Sequence, residues 1–112
     1  MVDNVDDFLV EAINFLDAEQ IKFIKKAGSI DVSGYHHSIG REIRNIFCLW
    51  SEDSGPLKAD LWNRMLTDER KVYDDHWRSC EGGKVYQGAE MHADDASHEL
   101  MKRLFRKIGE MP

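Results

Sequence analysis

Two short segments hold most of the residues that could do chemistry. The first is Tyr35-His36-His37-Ser38-Ile39-Gly40-Arg41-Glu42-Ile43-Arg44-Asn45, and the second is His92-Ala93-Asp94-Asp95-Ala96-Ser97. Arginine presents a planar fork of donors that matches a carboxylate with two parallel hydrogen bonds. Arg41, Arg44 and Asn45 in one segment therefore complement His92, Asp94, Asp95 and Ser97 in the other. Two readings follow. In one, Arg44 meets Asp94 or Asp95 and staples two helices together, as charged groups beside a core usually do. In the other, the same residues form a polar pocket for an anionic group or for a partner's side chain.

Metal chemistry has less support. His36, His37, His92, Asp94, Asp95 and His98 offer nitrogen and oxygen donors. Their spacing matches no HExxH helix, CxxC pair or calcium loop, so no metal and no other cofactor is expected. A GxSxG elbow and a phosphate-cradling glycine loop are also missing. Ser97 with His92 or His98 can be drawn as a dyad, but a serine on the apolar side of a helix is more often packing than nucleophile. No catalytic residue is assigned.

Together the two segments resemble a pattern found in a group of small, functionally uncharacterised bacterial and phage domains. That pattern is a Gly-Arg-x-Ile-Arg-Asn helix ending in Leu-Trp, followed later by a His-Pro-Asp-Asp-x-Ser helix start. The likeness spans residues 35–50 and 92–108, with Ala93 standing where the pattern has proline. It implies a small all-helical domain and no catalytic activity.

These residues need elements to hold them. Val5, Phe8, Leu9, Ala12, Ile13 and Leu16 recur at helical spacing and predict a helix over 4–16. Asp17 and Gln20 have the spacing of a capping box, which starts a second helix that stops at Gly28. After a linker from Ser29 to Gly34, a helix is expected from Tyr35 to Trp50. Its apolar stripe is Ile39, Ile43, Ile46, Phe47 and Trp50, with Arg41, Arg44, Asn45 and Cys48 opposite. Gly40 inside it predicts a close contact with another helix.

Further along, Leu57, Leu61 and Met65 mark a helix after Pro56, and Thr67-Asp68-Glu69 starts another that runs through Val72, Tyr73, His76 and Trp77 to Cys80. Residues 84–91 leave room for at most a minor hairpin. The last helix begins with Asp94 or Asp95 as its N-cap and buries Leu100, Met101, Leu104 and Ile108. Ser97 falls on its apolar side. The expected fold is all-α, a single domain over 1–112 with about five helices. Trp62 and Trp77 sit on the least regular stripes and are the candidate interface residues.

Charge narrows the function. The chain of 112 residues has a net charge of −6. Residues 1–20 hold six acids and no Lys or Arg. A nucleic-acid partner needs a cationic footprint, so none is expected. No run reaches the roughly 20 apolar residues of a membrane span, and the acidic start is unlike a signal peptide. Cys48 and Cys80 read as reduced thiols, and the chain as cytoplasmic. The favoured reading is a non-enzymatic module of accessory, immunity-like or inhibitor-like type that binds a protein partner. The alternative is a small enzyme or anionic-ligand domain built on the Arg/His/Asp cluster.

Overall fold

The computed structural model describes residues 2–27, 32–35, 37–80 and 91–111, with only the backbone of residues 27, 32, 33 and 74–80. Among the described residues six helices fold around one core: α1 (Val5–Phe15), α2 (Ala18–Ala27), α3 (Ile39–Ile46), α4 (Gly55–Arg64), α5 (Thr67–Cys80) and α6 (Ala93–Gly109). Two 3-10 turns, Val32–Tyr35 and Glu52–Ser54, precede α3 and α4. No strand occurs among the described residues. The hairpin expected at 84–91 falls, apart from Met91, outside them, as do Gly28, His36 and the Trp77 side chain.

The last helix is the hub. Ala93, Ala96, Ser97, Leu100, Met101, Leu104, Phe105 and Ile108 are all buried. This spacing paints a broad stripe along α6. Helices α1, α2, α3 and α4 all lie against it. Phe8 meets Phe47 edge to face at 4.7 Å, joining α1 to the end of α3.

Local chemistry explains the helix starts. Asn4 caps α1 by accepting from the Asp7 N–H at 2.8 Å. The capping box at α2 is reciprocal: Gln20 N–H donates to Asp17 at 2.8 Å, and Asp17 N–H donates to Gln20 at 3.0 Å. Asp60 of α4 accepts from the Val5 N–H at 2.8 Å, so one orphan donor of α1 is satisfied by a neighbouring helix.

Two expectations need correction. The helix expected over 35–50 is shorter, because α3 ends at Ile46 in a left-handed cap. Cys48 has φ 52°, and the Leu49 N–H donates back to the Arg44 carbonyl at 2.9 Å. That is the Schellman arrangement, with Cys48 where glycine is usual. The turn drives Leu49 into the core and leaves Trp50 61% exposed, off the apolar stripe. Ile46 is also partly exposed, at 43%. The final helix has His92 as its N-cap, not Asp94 or Asp95. His92 is extended, and its Nδ1 accepts from the Asp94 N–H at 3.1 Å, as an aspartate cap would. Val72 lies outside the core, 67% exposed, because the inward side of α5 carries Glu69 and Tyr73.

Candidate functional site

Arg44 sits inside the protein, only 5% exposed. On α3 it lies one residue past Ile43 and one turn past Gly40, all three buried. The arginine therefore belongs to the inward face and does not stand opposite it. Its Nη1 donates to Ser97 Oγ at 2.9 Å, and its Nε lies 3.5 Å from Asp94 Oδ1. Ser97 passes the interaction on, donating to the Asp94 carbonyl at 3.0 Å. The staple between the third helix and the start of the last is thus present as geometry.

Gly40 makes it possible. A Cβ at this position would lie 3.1 Å from Met101 Cε, 3.2 Å from Arg44 Nη1 and 3.3 Å from the Tyr35 carbonyl. The missing side chain lets α3 approach α6 and clears space for the guanidinium. Glycine costs helix stability, about 1 kcal/mol against alanine, and the packing it permits offsets that.

Of the remaining candidates, His92 stays beside the pair, its Nδ1 3.8 Å from Asp94 Oδ2, while Arg41 and Asn45 do not join it. Arg41 and Asn45 are exposed on the outer side of α3, away from the pair. His92 is exposed and meets Trp50 edge-on at 5.5 Å. Asp95 is half-buried in the first turn of α6, where the helix dipole favours an acid. Among the described residues no three His, Cys, Asp or Glu side chains come together as a metal set. Trp62 is half-buried against the core, with the Arg70 guanidinium 5.7 Å from its ring centroid. Arg70 also donates to the Trp62 and Asn63 carbonyls, closing the end of α4. No helix among the described residues is long and apolar enough to cross a membrane.

No family model, curated protein or solved structure matches this chain.

A second polar cluster escaped the sequence reading. Glu99 is 2% exposed on α6 and accepts from Tyr73 Oη at 2.9 Å and from Lys102 Nζ at 2.9 Å. Lys102 also donates to Glu69 at 3.0 Å, and Arg103 lies 3.6 Å from the same carboxylate. Burial pushes the Glu69 carboxyl up. The Leu66 N–H, the Lys102 ammonium and the charge of Arg103 together outweigh it and hold Glu69 down at about 2. In sequence these residues read as an ordinary solvated face, because their convergence depends on how α5 crosses α6. Lys58 was also missed. It is 7% exposed on α4, and among the described residues no carboxylate pairs with it. Burial alone lowers its pKa below the usual lysine value.

Exposed apolar side chains also gather where α1 meets α3. Val10 and Phe15 of α1 are 61% and 54% exposed. With Ile46 and Phe47 they line two depressions at the junction of α1 and α3, Val10 in one and Phe15 in the other. The first is a concavity of about 400 Å³ bordered by Asp7 and Glu11. The second is a crevice of about 10 Å³ bordered by Glu42. No Lys or Arg lines either depression.

Proposed function

We propose that this chain is a protein-interaction module that works through the α1/α3 junction, in the manner of a small accessory, immunity-like or inhibitor-like protein. The observation that carries this reading is the exposure of Val10, Phe15 and Ile46 around the depressions where α1 meets α3. Each side chain has the apolar area to pack against the core, yet each is turned outward. Contiguous apolar surface on a small protein marks a contact with another molecule. The charge of α1 agrees, since an all-acidic helix beside an apolar stripe supplies orientation as well as area.

The alternative, an enzyme or anionic-ligand domain on the Arg/His/Asp cluster, has less in its favour. Arg44 already spends its donors on Ser97 and Asp94, and Arg41 and Asn45 face elsewhere. The test is affinity capture from the native host. Wild type and a Val10→Asp/Ile46→Asp variant are used as baits, with Val72→Asp as the control on another exposed apolar site. A partner retained by wild type and the control, and lost by the junction variant, supports the reading. A partner retained equally by all three refutes it.

A further inference from the structure

The cap of α6 is an imidazole, and an imidazole caps only while it is neutral. His92 Nδ1 accepts from the Asp94 N–H at 3.1 Å. A ring nitrogen accepts only when it carries no proton, so the capping ring holds its single proton on Nε2. The ring is exposed, edge-on to the Trp50 indole at 5.5 Å, and water reaches it. Among the described residues, the charged group in reach of Nδ1 is Asp94, with Oδ2 3.8 Å away. The other oxygen of that carboxylate, Oδ1, lies 3.5 Å from Nε of Arg44, which reaches across from α3 and is 5% exposed. Asp95 adds a second acid to the same first turn of α6. Asp94 therefore stands between an exposed ring and an enclosed guanidinium, with one oxygen toward each.

We propose that His92 is a proton-operated switch on the α3/α6 staple. The neutral ring caps α6 and leaves Asp94 to Arg44; the protonated ring gives up the cap and draws Asp94 toward itself. The steps follow from the donor count. A proton on Nδ1 turns the acceptor into a donor, so the Asp94 N–H loses its partner. The imidazolium also faces the positive end of the α6 dipole, which disfavours it in the capping position. The Asp94 carboxylate is the anion beside it, and the 3.8 Å gap to Oδ2 closes into a charge-assisted hydrogen bond. Closing that gap turns the carboxylate away from Arg44 Nε. Arg44 keeps its 2.9 Å hydrogen bond to Ser97 Oγ, so α3 stays docked while the ionic half of the staple loosens. Histidine is the side chain whose charge ordinarily changes between about pH 5 and 8, a range in which ordinary carboxylates and lysines keep theirs. A serine or asparagine cap at this position would not respond there.

Nuclear magnetic resonance of the full isotope-labelled chain follows each link between about pH 8 and 5. The His92 ring nitrogens report the proton, the Asp94 amide reports the cap, and the Arg44 Nε–H reports the staple. The Asp94 amide proton is expected to move upfield as its acceptor is lost, and the Arg44 Nε–H to shift with the same midpoint as the ring. In His92→Asn, whose cap takes up no proton, both signals should stay flat across the range. In Asp94→Asn the ring still titrates, but the Arg44 signal should no longer follow it, because the carboxylate between them is gone. Circular dichroism melts check that both variants fold; if either does not, the wild-type titration decides by itself. An Arg44 signal unmoved while His92 takes its proton overturns the switch, as does an Asp94 amide that keeps its position. The same movements in His92→Asn would assign them to another histidine and overturn it too.

Discussion

Arg44 is enclosed while its counter-ion, Asp94, keeps 44% of its side chain in water. Asp94→Ala leaves a guanidinium that water reaches poorly. Arg44→Ala strands the Ser97 hydroxyl and opens a void. Each substitution should cost about 1–3 kcal/mol. Their coupling in a double-mutant cycle of denaturant melts should be about 1 kcal/mol; additivity within about 0.5 kcal/mol would mean that the contact has no energetic weight. Lys58 has the opposite sign. A buried ammonium without a counter-charge is destabilising, so Lys58→Met should gain about 1 kcal/mol at pH 7. Its folded pKa lies below 10.5. The unfolded chain therefore holds the proton more tightly, and the penalty is present at low pH and fades as pH rises toward 10.5. Urea melts at both pH values check this; no gain at pH 7 would mean that only the lysine stem is buried and the amine reaches water. The Arg44–Asp94 meeting was legible because both residue types stand out. Lys58 was not, since a lysine four residues into a helix reads as solvated until its neighbours are known.

At the scale of elements, the capping box of α2 and the buried stripe of α6 could be read directly, because caps and periodicity are local properties. The end of α3 could not. Apolar spacing continues through Trp50, and nothing in the side chains at 47–50 announces the turn; the left-handed Cys48 is a backbone event. Cys48→Gly should stabilise by about 1 kcal/mol, because glycine adopts this conformation without the Cβ penalty. A loss of stability in a thermal melt would show that the cysteine side chain contributes more than its backbone strain costs. The α5–α6 cluster makes a second prediction. Glu69 titrates at about 2 in the folded chain against an ordinary 4.5. Its depressed pKa gives a stabilisation that is complete above about 4.5 and is lost as pH falls from there toward 2. The full loss is up to about 3 kcal/mol. Glu69→Gln should remove most of this acid dependence, and an unchanged pH profile would place the effect on another carboxylate.

For the whole molecule, burial and exposure separate stability from interaction. Helix α6 holds α1, α2, α3 and α4 in place, and the Arg44 and Glu99 clusters tie its first turns to α3 and α5. At the junction of α1 and α3, exposed Val10, Phe15 and Ile46 lie beside the acids Glu11 and Glu42. Composition pointed toward this through the six acids and missing cations of residues 1–20. It did not locate the junction, because Ile46 reads as core by spacing and Phe15 falls at the end of a helix. Trp62, a candidate contact from sequence, is half-buried with Arg70 over its ring. The most direct test of the account is to add the captured host partner to isotope-labelled protein and follow the backbone amide signals. The account predicts shifts concentrated at residues 7–15 and 42–47, with the amides around Asp94 and Ser97 little changed. Shifts centred on His92, Asp94 and the outer side of α3 at Arg41 and Asn45, with the α1/α3 junction silent, would contradict it.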